Sequence, residues 1–178
     1  TLLNILSLLI NPKNCEMLVD EKKIETPQDF RRYQNMISFV SQDTFLLEDT
    51  IENNILFGSE QTNDDKKLKN ALEFSRLNDF VKELPNGLDT IIGLNSKKIS
   101  SGQRQRIALA RLYYNSRDIL IFDEATNALD EKNEEIIINN IFKLKKLKTI
   151  IIVSHNKKNL INCDKLYQVK SSSIIEEK

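Results

Sequence analysis

The sequence predicts an α/β fold, a mostly parallel sheet flanked by helices, with a further helical segment in the middle of the chain. Three observations carry this. Ile119–Phe122 and Thr149–Val153 are short apolar runs bounded by turn residues, the pattern of strands buried on both faces of a parallel sheet. The segments around them carry apolar residues at helical spacing: Ile107, Leu109, Ala110 and Leu112 before the first run, and Ile136, Ile137, Ile141 and Leu144 between the two. Both runs also end abruptly on polar residues, Asp123-Glu124 after the first and Ser154-His155 after the second. In open α/β sheets ligands sit at the carboxyl ends of the strands, so these four residues mark the candidate site.

A chain of 178 residues suffices for one domain with a real core, and 40% hydrophobic with 29% charged residues is a globular composition. The 26 basic residues balance the 26 acidic ones, so bulk charge gives no nucleic-acid footprint. Cys15 and Cys163 lack metal-ligand spacing and read as reduced, structural and cytosolic. No apolar run reaches the ~18 residues that a membrane span needs. Thr1–Ile10 is too short, and lacks the basic flank, for a signal peptide.

In chain order, a first helix should end near Asn11-Pro12, because proline disfavours helix in the residue before it. Cys15–Val19 is a short strand candidate in an antiparallel part of the sheet. Thr26-Pro27 supplies a cap and a first-turn proline for a helix through about Tyr33. Met36–Val40 reads as a buried strand leading into Ser41-Gln42. Asp64 to about Leu84 is expected to be helical, with Leu68, Ala71, Leu72, Phe74 and Leu77 on one face.

Ser100, Ser101 and Gly102 then open a helix whose unpaired backbone N–H groups and dipole make an anion site. Asn115 and Ser116 break that helix. Alternation along a strand would turn the Asp123 and Glu124 carboxylates to opposite sides, one toward a hydrated Mg²⁺ and one toward a water. Taken alone, the pair is equally compatible with a solvated acidic turn. A helix over Glu131 to about Lys146 leads to a second central strand, Thr149–Val153. A last helix over Asn159–Cys163 and edge strands over Asp164–Val169 and Ser172–Ile175 complete the expectation.

The combination is more specific than its parts. S-x-G-Q-x-Q-R from Ser100, a helix, an apolar strand, D-E-A-T from Asp123 and A-L-D ending at Asp130 resembles the signature motif, Walker B strand and D-loop of the ATP-binding-cassette (ABC) ATPases. The resemblance covers nearly the whole chain. It implies a P-loop NTPase-like core over 1–43 and 115–178 and a helical signature subdomain over 44–114. V-S-Q-D-T-F-L-L-E-D-T-I-E-N-N-I is similar to the Q-loop of exporter-type members, which implies that Gln42 reaches Mg²⁺ and the attacking water and that its loop touches the membrane domains. The resemblance further implies that Asp123 holds Mg²⁺ through water, Glu124 accepts a proton from the attacking water, and His155 is the switch histidine. Ser100, Ser101, Gly102, Gln103 and Asp130 would contact ATP bound by a second domain. T-L-L at the start resembles the helix just after the phosphate loop, so Thr1 would follow the Mg²⁺-binding hydroxyl, and the chain is expected to be a fragment starting past its P-loop lysine.

The chain departs from the family pattern at Ser101, where glycine is usual, at Asn127 for a frequent serine, at Asn156 for a frequent arginine and at Leu94 for a frequent glutamate. The implied function is ATP binding and hydrolysis powering an exporter-type membrane transporter, with the resemblance extending to lipid and lipid-linked oligosaccharide flippases. Its implied partners are a second ATP-binding domain and transmembrane domains, at the cytoplasmic face of a membrane, with no nucleic acid. Two alternatives stay open at this point, a soluble ABC ATPase acting on ribosomes or DNA and a non-catalytic nucleotide-binding regulator. The first would call for a coiled-coil insertion, and the roughly 57 residues between Gln42 and Ser100 leave little room for a long one.

Overall fold

A computed structural model describes residues 2–10, 16–59, 64–93, 99–170 and 173–177. Thr1, Cys15 and Leu94 lie outside the described residues. At the centre is a parallel three-stranded sheet of β3 (Ile37–Val40), β6 (Ile119–Asp123) and β7 (Thr149–Val153), in the order β3-β6-β7. Its register pairs Val40 with Phe122 and Asp123 with Val153. The carboxyl ends of all three strands therefore share one edge.

The side chains of β6 divide the core. Ile119 and Ile121 face α1 (Leu2–Leu6) and α2 (Pro27–Asn35), packing with Leu3 and Tyr33. Leu120 and Phe122 face α6 (Ser101–Asn115) and α7 (Glu131–Lys143), packing with Leu109, Leu112, Ile137 and Ile141. Burying one such aliphatic side chain contributes about 1.5–3 kcal/mol, which fixes the strand between its two helical layers. A separate apolar cluster joins α3 (Ile51–Leu56), α4 (Asp65–Phe74) and α5 (Asn78–Glu83) to the opposite face of α6, through Ile55, Leu72, Leu77, Ile107 and Tyr114. Arg111 ties these parts together: its guanidinium donates to the carbonyls of Asn54 (2.7 Å) and Phe45 (3.0 Å) and to Asn54 Oδ1 (3.1 Å).

Three short antiparallel pairs lie outside the central sheet: β1 (Leu18–Val19) with β2 (Lys22–Lys23), β4 (Asp49–Thr50) with β5 (Ile91–Ile92), and β8 (Tyr167–Lys170) with β9 (Ser173–Glu176). Local chemistry sets the helix starts. Thr26 and Asp29 form a reciprocal capping box at α2, with Pro27 in the first turn, and Thr50 caps α3 by accepting from Asn53 N–H.

Several expectations need correction. The first helix stops at Leu6 rather than near Pro12: Ser7 Oγ bonds back to the Leu3 carbonyl, and Leu8 turns to φ 54°. The long helix expected over Asp64–Leu84 is two helices, because Ser75 Oγ bonds the Ala71 carbonyl and Arg76 sits at φ 59°. The strand expected from Cys15 comprises Leu18–Val19. Among the described strands β7 is an edge of the sheet, and Ile150–Ile152 are half-buried instead of central. On α7 it is Ile138, with Ile137 and Ile141, that is buried, while Ile136 is half-buried. The expected last helix is a 3₁₀ turn over Lys157–Leu160, and the final strands form an exposed hairpin starting at Tyr167.

Candidate functional site

Backbone pairing alone brings the strand-end residues together. Asp123 is the last residue of β6. Glu124 leaves the strand at φ 50°, so the simple alternation expected for the two carboxylates does not hold. A φ in that region is uncommon for a residue with a β-carbon, and here it is held by surrounding bonds. The N–H of Glu124 donates to the Val153 carbonyl at the end of β7 (3.0 Å), and its carbonyl accepts from Asn127 N–H (3.2 Å) and Gln105 Nε2 (3.1 Å).

This turn aims the Glu124 carboxylate across the sheet edge at His155. His155 Nε2 lies 2.7 Å from Glu124 Oε1, and Asn127 Nδ2 donates to Oε2 at 2.6 Å. The Glu124 side chain is 12% exposed while that of His155 is 88% exposed, so the acid is sunk and the imidazole covers it from the rim. Burial, followed by the negative charge of Glu124, pushes the Asp123 carboxyl above its ordinary value. The edge thus holds a crowded pair of acids with a histidine beside them, an arrangement suited to receiving a proton and a cation.

Gln42 lies just past β3 on the same edge and is exposed. Ser100 caps α6: its Oγ accepts from Gln103 N–H (3.1 Å) and Gln103 Oε1 accepts from Ser100 N–H (2.9 Å). Ser101 is exposed in the first turn. Gly102 abuts the loop after Glu124, where an added Cβ would stand 2.8 Å from the Ala128 carbonyl oxygen. Asp130 caps α7, and the Asn133 side-chain and backbone N–H bonds hold its carboxyl below the ordinary value. The structure therefore joins Glu124 and His155 directly, sets Asp123 beside them and Gln42 on the same edge, and brings the start of α6 against the loop that ends at Asp130.

Sequence reasoning passed over a second layer of polar residues. Glu134 on α7 accepts from Thr126 Oγ1 (2.8 Å), Asn159 Nδ2 (2.8 Å) and Asn156 Nδ2 (3.3 Å), and Asn159 Nδ2 also reaches Ser154 Oγ (3.3 Å). This cluster pins the loop around His155 to the loop after Asp123. Nothing in a single sequence marks Glu134, which reads as one more acid on an amphipathic helix. Gln105, 4% exposed, stood in the S-x-G-Q-x-Q-R pattern as its second glutamine, with no role assigned to it. Asn127 and Asn156 were visible only as departures from the family pattern.

Among the described residues no helix is long and apolar enough to cross a membrane. The profile of the family described as ABC transporter matches residues 1–127. The chain is 35% identical over 176 residues to an ATP-dependent lipid A-core flippase of Bordetella avium, covering 99% of this chain and 30% of the flippase. It is 36% identical over 177 residues to the corresponding flippase of Burkholderia orbicola, covering 99% of this chain and 29% of that protein. The chain thus spans less than a third of these relatives. Among solved structures, a bacterial Atm1-family ABC exporter with ATP bound superposes with a TM-score of 0.89 at 28% identity, over 98% of this chain and 30% of the exporter.

Proposed function

The chain belongs to the ABC transporter family, and from that premise we propose that it binds and hydrolyses ATP to drive an exporter-type membrane transporter. The observation that carries the reading is the 2.7 Å contact between Glu124 and His155 at the carboxyl ends of two neighbouring parallel strands. Phosphoryl transfer to water needs positioning and charge neutralisation more than covalent chemistry. Glu124 takes a proton from the attacking water. His155 fixes the carboxylate through Oε1, and Gln42 helps to orient the water from the end of β3.

Mg²⁺ fits the donor set. Asp123 is a hard oxygen donor whose carboxyl is raised by burial and then by the charge of Glu124, and a cation beside it would offset both. Among the described residues no three acidic, His or Cys groups could enclose a metal by themselves. Such a partial shell suits an ion that keeps several waters and takes further oxygens from phosphate. Asp123, through water, and the Gln42 amide oxygen are the proposed holders. When bound, the ion neutralises charge on the phosphates.

Ser100, Ser101, Gly102 and Gln103, at an exposed helix start, and Asp130, in the loop beside them, are proposed to meet ATP carried by a second domain. Thr1, outside the described residues, is proposed beside the phosphate site. The proposed division is a core of 1–43 and 115–178 with a helical signature subdomain over 44–114: the cluster of Ile55, Leu72, Leu77 and Tyr114 lies within the subdomain, which packs on the sheet through Phe74, Leu109 and Leu112. Phe45 and Phe57, each about half exposed, flank a groove with Val40, Ser41 and Arg111, the proposed seat of a transmembrane partner. That partner sets the location, the cytoplasmic face of a membrane. The flippase relatives favour a lipid or lipid-linked oligosaccharide as cargo.

The test is Glu124→Gln in the full-length protein. ATP binding should persist while phosphate release falls by about 10²-fold or more. Turnover at the parent rate would sink the assignment.

A further inference from the structure

Gln105 is a buried polar side chain in the middle of α6, yet its amide serves one loop on a different element. Nε2 donates to the Glu124 carbonyl at 3.1 Å, and Oε1 accepts from the Ala128 N–H at 3.0 Å. One helical turn earlier, Gly102 leaves room for the Ala128 carbonyl, whose oxygen would stand 2.8 Å from a Cβ at that position. Both polar groups flanking Ala128 Cα therefore rest on α6, the N–H on Gln105 and the carbonyl against the bare face of Gly102. At the other end of the loop, Gln105 shares the Glu124 carbonyl with Asn127 N–H.

The loop needs such holding. Glu124 sits at φ 50°, a conformation that tertiary contacts must impose, and its direction toward His155 depends on it.

The geometry points to Gln105 as a positioning residue that clamps loop 124–128 so that the Glu124 carboxylate faces the reacting water. The start of α6 and the proton acceptor then move as one unit. This inference rests on the ATPase reading above. It is tested in the full-length protein with Gln105→Met, which keeps the side-chain length and removes both bonds, and with Gln105→Glu, which keeps an acceptor for Ala128 N–H and removes the donor to Glu124.

For both variants kcat for ATP hydrolysis should fall about tenfold or more, with KM for ATP within about twofold of the parent. The thermal midpoint of Gln105→Met should stay closer to the parent's than that of Gln105→Glu, whose buried carboxylate would face the Glu124 carbonyl oxygen. A parent-level kcat in either folded variant overturns the clamp. So does a rise in KM that accompanies lost thermal stability, which is the mark of an ordinary packing residue. If Gln105→Glu does not fold, Gln105→Met decides by the same criteria. The parent and Glu124→Gln are assayed alongside: no ATP hydrolysis by the parent refutes the ATPase reading itself, parent-level turnover in Glu124→Gln refutes the role of Glu124, and an inactive Glu124→Gln with a normal Gln105→Met refutes the clamp alone.

Discussion

Replacing Gly102 by alanine isolates the contact between the helix start and the loop after Glu124. Gly102 lies in the first turn of α6, outside the positive-φ region, so its backbone accepts any residue and space alone decides. A glycine-to-alanine change inside a helix gains about 0.5–1 kcal/mol in general. Here the new Cβ would lie 2.8 Å from the Ala128 carbonyl oxygen, with Leu129 Cδ2 at 3.6 Å. The first of these atoms is backbone and cannot rotate away. Reaching an ordinary contact of 3.4 Å requires a displacement of about 0.6 Å, the difference between those two distances.

Overpacking of this kind costs about 1–3 kcal/mol, so the net effect should be a loss of roughly 1–2 kcal/mol despite the favourable helix propensity. The same displacement stretches the 3.0 Å bond from Ala128 N–H to Gln105. Thermal unfolding of parent and variant in one background measures the first effect, and ATP hydrolysis the second. A Gly102→Ala protein as stable as the parent, with unchanged turnover, would refute the claim that the loop is packed hard against α6.

Two further predictions concern the surroundings of the site. Arg111→Met removes three bonds to Asn54 and Phe45 and leaves their carbonyls without that donor, so it should cost roughly 2–3 kcal/mol in urea unfolding; a loss below about 0.5 kcal/mol would contradict it. The pH prediction follows from the raised Asp123 carboxyl. An acid whose folded value lies above its unfolded 3.8 disfavours folding at neutral pH, and that penalty vanishes as pH falls below 3.8. Asp123→Asn should therefore raise the thermal midpoint near pH 7 while abolishing hydrolysis, with its stability advantage shrinking in acid. Asp130 has the opposite sign: its lowered carboxyl stabilises the fold above the unfolded value, and that contribution is lost as pH falls through the folded one. An Asp123→Asn advantage that grows in acid would refute the sign.

The sequence alone determined the parts whose physics is local. Apolar runs made β3, β6 and β7 legible, because strands of a helix-covered parallel sheet turn most of their side chains into the core. Capping residues marked the starts of α2 and α6, because a helix N-terminus must satisfy its own N–H groups nearby. The residues ending the strands could be named because parallel pairing forces them onto one edge. Other features depended on partners distant along the chain. The break at Ser75-Arg76 follows from the way α4 and α5 share one cluster, and the φ of 50° at Glu124 from bonds to Val153, Asn127 and Gln105. Glu134 was invisible for the same reason, and Gln105 was legible as a motif position but not in its role: a polar residue on a helix shows its period but not its partner. The tertiary structure decided that one faces the loops around His155 and the other the turn beneath Glu124, because a hydrogen bond of about 3 Å is set by where backbones pack rather than by spacing along the chain.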